Sequence, residues 1–249
     1  MPHKVLVNLA DLSRELEGKN LRFVKEHFNI PVPDVYAAFT DLNDGMKYVV
    51  MEFIEGETLD AIWPGLSPAE RANVINQIKS YLLELRKLPS HGYIGCIDGT
   101  RNWGPLFGFP RKSLKPFASE QEMGESVMQT IAGVRKITGE PARSESFLRI
   151  IRSTIMPTFQ GHEIYFTHGD LQPRNIIVTR KSDVPNDLTV TIIDWESASW
   201  APEYREYTIA MTTPEMKSMW TEVVAEAFQE YRVEYLTMQY VSRFGRVFY

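Results

Sequence analysis

Residues 165 to 178 read YFTHGDLQPRNIIV, and residues 192 to 196 read IIDWE. NIIVTR (175 to 180) and LTVTIIDW (188 to 195) are rich in Ile, Val and Thr and read as strands, while KSDVPND (181 to 187) is a cluster of turn-forming residues. The pattern predicts an antiparallel hairpin. With its turn centred near Val184 and Pro185, Ile176 falls opposite Ile193, and Asn175 and Asp194 emerge side by side at the open end. Two hard oxygen ligands then converge. That suits magnesium, which takes oxygen ligands, keeps several waters and needs no full protein cage where phosphate oxygens complete its shell.

Upstream of Asn175 the spacing is His-x-Asp-x-x-x-x-Asn, carried by His168, Asp170 and Asn175. Phosphoryl-transfer loops use this arrangement: the Asp accepts the proton of the attacking hydroxyl and the Asn binds a metal ion. Three such residues at these offsets arise by chance in about one chain in a hundred of this length, and the flanking strands make coincidence rarer. The bland alternative has His168 and Asp170 capping a turn and Asp194 ending a strand. His168 is expected to brace the loop by hydrogen bonds. Arg174 reads equally as a cation that steadies a transferring phosphoryl group and as a solvent-facing side chain.

Together with NIPVPDVYA (29 to 37), YVVMEFIEGETLDAIW (48 to 63) and APEYREY (201 to 207), these motifs make the chain from about Glu17 to Tyr207 resemble a known family. It is the aminoglycoside phosphotransferase-like branch of the protein-kinase-like fold, which also takes in choline kinases. The resemblance implies an α+β, two-lobed protein. A small β-rich amino-terminal lobe, here shortened, would span residues 1 to 55, with a hinge at about 52 to 56, and a larger, mainly helical lobe would span 56 to 249. It further implies ATP and Mg2+ as cofactors and a hydroxyl of a small molecule as acceptor. Asp170 would be the catalytic base, and Asn175 and Asp194 the metal ligands. Met51 would line the adenine pocket, with the backbone of Glu52 and Phe53 bonding the adenine edge. Glu17, with Glu15 as its near rival, would be the helix glutamate that pairs with a phosphate-contacting lysine, for which Lys4 is the available residue. Read without the resemblance, YVVMEF is a core strand and Lys4 and Glu17 are surface charges. No glycine-rich loop precedes the first helix. A fragment, an enzyme with a pared-down lobe and a non-catalytic, pseudokinase-like binding module all accommodate that.

Composition narrows the classes. The 249 residues are 43% hydrophobic and 24% charged, enough for a large core, and the net charge of -5 gives no general basic character for nucleic acid. A single cysteine, Cys96, rules out an intrachain disulfide and a cysteine-rich zinc site, and it points weakly to a reducing, cytoplasmic setting. No stretch approaches the roughly 18 apolar residues of a membrane span, and the amino terminus has no signal-type apolar core. Apolar periodicity predicts helices over 11 to 28, 68 to 88, 119 to 137, 145 to 156 and 215 to 243, the last broken, with Ser67, Pro68 and Glu70 as a capping start. DVYAAF and MKYVVMEF predict a further hairpin. The row Glu215, Glu222, Glu226 and Glu230 reads as a solvated face rather than a cation site.

Overall fold

The computed structural model describes residues 4–9, 15–43, 46–88, 90, 92–100, 115–138, 143–181, 187–212 and 218–242. Strands β1 (Lys4–Leu9), β2 (Val35–Thr40) and β3 (Lys47–Glu52) form an antiparallel sheet in the order β1-β3-β2, with Lys4 opposite Glu52 and a bulge between Val35 and Ala37. Helix α1 (Glu15–His27) covers this sheet. It buries Leu16, Leu21 and Val24 at helical spacing, with Val49 and Met51 of β3 in the same core. Leu12, expected on that face, lies outside the described residues. The helix stops before Pro31 and Pro33, which lack the amide a helix needs.

The chain leaves β3 and immediately joins a second sheet. Strand β4 (Glu57–Thr58) pairs with β6 (Ile176–Arg180), which pairs with β7 (Leu188–Ile192), while β5 (Ile164–Thr167) pairs with β8 (Ser199–Pro202). Gly56 makes the join possible: a Cβ there would lie 2.6 Å from the Val178 carbonyl oxygen at a φ of +154°, an approach open only to glycine. The Thr179 hydroxyl donates to the Glu55 carbonyl beside it. The β6–β7 hairpin is as expected, but its register is shifted by one. Ile176 pairs with Ile192, not Ile193, because Lys181 N–H bonds Asp187 O and makes the pairing symmetric about position 184.

Helices make up most of the rest: α2 (Leu59–Ile62), α3 (Pro68–Leu85), α4 (Glu120–Thr138), α5 (Glu145–Thr158), α6 (Arg205–Ala210), α7 (Ser218–Ala227) and α8 (Arg232–Ser242). The small sheet with α1 and this larger, mainly helical part are the two lobes. The helix expected to run unbroken to Leu88 ends at Leu85, where Arg86 caps it. The break expected within 215 to 243 falls at Phe228–Tyr231, a segment fastened from outside. Arg86 donates to Gln229 at 2.6 Å, and the Tyr231 hydroxyl donates to Glu203 at 2.8 Å. His162 takes no part in a metal cluster among the described residues. Its Nδ1 lies 2.8 Å from Glu120 and its Nε2 3.4 Å from Glu234, tying α4 to α8. No helix among the described residues is long and apolar enough to cross a membrane.

Two aromatic contacts fasten α1 onto the larger lobe. Phe23 lies 5.0 Å from Phe166 of β5 and meets Trp200 of β8 edge-on at 6.1 Å. The helix of the small lobe thus rests on the strand that feeds the 168–175 loop.

The capping box of α3 makes stability depend on pH. The Glu70 carboxylate accepts from the Ser67 amide at 2.8 Å, pairs with Arg180 and accepts from the Ser67 hydroxyl at 2.8 Å. These contacts lower its pKa from 4.5 to about 2. A carboxylate depressed in the folded state contributes stability that is present above its ordinary pKa and is lost as pH falls toward the depressed one. Glu70→Gln should therefore flatten the fall in melting temperature between about pH 4.5 and 2. An acid limb identical to that of the parent would remove Glu70 from the account.

Candidate functional site

The 168–175 loop is held from below before it presents anything. Strand β5 ends at Thr167, and His168 comes next with no solvent exposure. Its Nε2–H donates to Ile193 O at 2.9 Å, its Nδ1 accepts from the Asp170 amide at 3.2 Å, and its ring meets Trp195 edge-on at 4.7 Å. The bracing role expected of His168 is what the geometry shows. Gly169 adopts a φ of +80°, and a Cβ there would stand 2.4 Å from Ser197 O, so no other residue fits. Beneath both residues lies Glu206 of α6, buried, whose Oε2 accepts from the His168 amide at 2.7 Å and the Gly169 amide at 3.4 Å. Burial raises its pKa, and the two amides offset that only in part.

Asp170 has its two oxygens in different circumstances. Oδ2 accepts from Gln172 Nε2 at 2.7 Å and from Asn175 Nδ2 at 3.1 Å, with Arg174 Nη2 3.8 Å away. Oδ1 accepts from no group among the described residues, and the side chain is 34% exposed. The Asn175 amide nitrogen is doubly engaged, since it also donates to the Asp170 carbonyl at 2.9 Å. That fixes the amide and leaves its oxygen as the atom available to a cation.

Across the hairpin, Ile193 N–H donates to Asn175 O at 3.0 Å, so the ladder runs one residue beyond β6 and ends beside Asp194. Asn175 and Asp194 are therefore neighbours offset by one residue rather than a facing pair. Asp194 has φ 62° and ψ 59°, the left-handed region, and among the described residues it alone has positive φ without being glycine. The turn after Asp194 is pinned on two sides. Trp195, with no solvent exposure, donates Nε1–H to Ile192 O at 3.0 Å, and Asn20 of α1 donates to Trp195 O at 2.7 Å and Ala198 O at 3.5 Å. Among the described residues no three His, Cys, Asp or Glu side chains cluster closely enough to hold an ion unaided. An ion here would need Asp194, Asn175 and oxygens from a ligand.

The expected nucleotide-side residues lie along β1 and β3, just past β3, and in α1. Met51 is buried in β3. The Glu52 amide donates to Asp34 O at 2.8 Å and its carboxylate accepts from the Asp34 amide at 3.2 Å, so that amide is committed to the sheet. Phe53, just past the strand, is 51% exposed. Glu17 is buried in the first turn of α1, unlike a surface charge. Lys4 opens β1 opposite Glu52, and its side chain, like that of Glu15, lies outside the described residues. Gln172, Glu206 and Asn20 were not singled out from the sequence. Gln172 carried a local signal in its place two residues after Asp170, Glu206 carried one in its place within APEYREY, and Asn20 carried none.

Comparison with known proteins gives the same outline. The model of the family described as "APH: Phosphotransferase enzyme family" matches residues 8–241. Acyl-CoA dehydrogenase family member 11 of Rattus norvegicus is 24% identical over 200 residues, which cover 80% of this chain and 22% of that protein, so the chain spans less than a quarter of that relative's length. Solved structures with a similar fold include ADP-bound aminoglycoside phosphotransferase APH(2'')-Ib, with TM-score 0.61, 14% identity, and 95% of this chain and 74% of that one covered. A thermostable mutant of APH(4)-Ia in ternary complex with ADP and hygromycin B gives TM-score 0.59 at 13% identity, over 99% and 80% of the two chains. The GDP complex of aminoglycoside 2'-phosphotransferase-IIIa gives 0.52 at 16% identity, over 94% and 72%. The two-lobed kinase-like fold is thereby shown.

Asn20 is a polar link from α1 to the turn after Asp194, and its removal leaves the Trp195 carbonyl without its 2.7 Å donor. Asn20→Ala should cost about 0.5 to 1.5 kcal/mol of unfolding free energy, the net contribution of one intramolecular hydrogen bond, because the Ala198 amide still donates to the Trp195 carbonyl at 3.1 Å; urea titration reads it. A change under about 0.3 kcal/mol would show that the contact contributes nothing net.

Proposed function

Because the chain belongs to the phosphotransferase enzyme family, we propose that it transfers the γ-phosphoryl group of ATP to a hydroxyl on a small molecule. The observation that carries this reading is the inequality of the two Asp170 oxygens. Oδ2 is anchored by Gln172 and Asn175, and Oδ1 is left for an incoming group. A hydroxyl that bonds Oδ1 is oriented for attack on the γ-phosphorus. As the new P–O bond forms, its proton passes to Asp170, the bond to the β-phosphate oxygen breaks, and ADP leaves. Gln172 and Asn175 keep the carboxylate from rotating, which conserves the orientation that dominates this type of catalysis.

Asn175 and Asp194 would hold Mg2+, which offsets the charge of the phosphate oxygens. Arg174, half-exposed beside Asp170, would meet the same charge from the acceptor side. On the nucleotide side, Met51 would line the adenine pocket. With the Glu52 amide already bonded to Asp34, the Glu52 carbonyl and the Phe53 peptide would bond the adenine edge. Glu17 and Lys4 would form the pair that positions the phosphates, and the lobes would divide at 52 to 56, beside the Gly56 join. The ADP- and GDP-bound neighbours support a nucleotide, and the hygromycin B complex supports a small-molecule acceptor.

Asp170→Asn should lower turnover by on the order of 10² to 10⁴-fold while sparing ATP affinity measured by calorimetry. Undiminished turnover in that variant would sink the assignment of the base. Asp194→Ala should abolish the part of ATP binding that depends on magnesium, and magnesium-dependent binding that survives would dismiss Asp194 as a ligand. ATP bound by the parent but never consumed across a panel of hydroxyl acceptors would identify a pseudokinase instead.

A further inference from the structure

Between α3, β5, α6 and the end of α7 lies a cavity of about 260 Å³, and none of the described residues that line it belongs to the 168–175 loop. Leu82, Phe166, Tyr207, Ala227 and Phe228 give its lining an apolar, partly aromatic side, and charged residues make up much of the rest. Glu206 also lines it. One oxygen of that carboxylate is committed to the loop amides. The other, Oε1, is buried and meets no hydrogen-bond partner among the described residues, a costly state for a carboxylate.

The charges around the cavity do not relieve it. Arg86 also lines the space, but its guanidinium is spent on Gln229 at 2.6 Å and the Tyr231 hydroxyl at 3.4 Å, and it lies over the Tyr165 ring at 5.6 Å. Lys79 is exposed at the rim, and Glu203 and Glu226 add two carboxylates to the lining. A chamber with an apolar, partly aromatic side, an unanswered carboxylate and a net acidic lining suits one chemical class: a protonated amine on a small aryl or alkyl body. Such a ligand supplies the missing N–H donor and gains from the aromatic rings.

We propose that this cavity is a second ligand site, separate from the phosphoryl-transfer centre, that takes a small organic ammonium ion with its N–H directed to Glu206. The site reaches the loop through one side chain, because the Glu206 carboxylate that would receive the ammonium also holds the amides of His168 and Gly169. Binding requires no chemistry at Asp170. Only an effect of the ligand on turnover would rest on the phosphotransferase reading.

The test is ligand-observed NMR titration of the nucleotide-free chain with 2-phenylethylamine and, as the uncharged comparator of the same shape, 2-phenylethanol. The amine should bind the parent at least about tenfold more tightly than the alcohol. Glu206→Gln should erase that preference. Ala227→Phe, which fills the chamber from the α7 wall without touching the loop, should weaken both ligands by about tenfold or more. If melting curves show Glu206→Gln to be unfolded, Ala227→Phe carries the decision alone. No saturable binding of the amine to the parent, equal affinity for amine and alcohol, or amine binding undisturbed by Ala227→Phe would each overturn the proposal. The last would place the amine elsewhere, the Asp170 side of the loop included.

Discussion

Everything at the site hangs on one buried carboxylate. Glu206 is buried beneath the 168–175 loop, and its Oε2 accepts from two successive backbone amides. Taken from water, an anion loses its hydration, and here two amides restore part of it. The loop gains what a surface turn lacks, a fixed acceptor that determines where the His168 and Gly169 peptides lie. Above that point the His168 ring ties the Asp170 amide to the Ile193 carbonyl, so Asp170 and the strand leading to Asp194 hang on one imidazole. A change at Glu206 therefore acts on Asp170 and on the approach to Asp194 together, although it touches neither.

The small lobe is tied into the same assembly. Asn20 reaches from the middle of α1 to the carbonyls just beyond Asp194, and Phe23 packs on Phe166 one residue before Thr167 enters the loop. The polar contact fixes direction and the aromatic contact supplies burial, which is the larger contribution per side chain. On the opposite edge, the join through Gly56 puts the chain leaving β3 in direct pairing with β6. A displacement of the small sheet is therefore felt at both strands of the hairpin that carries Asn175 and Asp194. In the proposed phosphoryl transfer, whose barrier would be lowered chiefly by position and charge, those two attachments would set where Asn175 and Asp194 stand.

How much of this was legible beforehand depends on the range over which each feature is determined. The β6–β7 hairpin comes from local pattern, with β-branched runs on either side of a polar turn, and so does the α3 start at Ser67, where cap and partner lie three residues apart. The one-residue error in register has a local cause too: composition marks a seven-residue turn but not its axis of symmetry. Strand β8 (SWAP) was not legible, because its partner β5 lies more than thirty residues away and its proline reads against a strand. The break after α7 was expected only in outline. No glycine or proline marks Phe228–Tyr231, and the chain turns there because Arg86 and Glu203 grip it from elsewhere in the fold. Asn20 is the clearest case. It is an ordinary polar residue in a helical segment, and its importance comes wholly from a partner 175 residues distant.

Two backbone conformations flank the centre, and both are ones a typical residue avoids. Gly169 and Asp194 each have φ near the left-handed region. Glycine meets this at almost no steric cost, and the Ser197 carbonyl 2.4 Å from a notional Cβ explains why nothing larger stands there. Asp194 has no such exemption and bears a cost of roughly 1 kcal/mol or more. Its neighbours over-determine it: Trp195, without solvent exposure, is anchored to Ile192, and Asn20 holds the next carbonyl. A relaxed extended residue at 194 would carry the strand onward and would forfeit both anchors. The strain at Asp194 and the burial of Trp195 are thus two sides of one arrangement. The stability contributed by the tryptophan holds an aspartate beside Asn175 in a conformation it would not adopt alone.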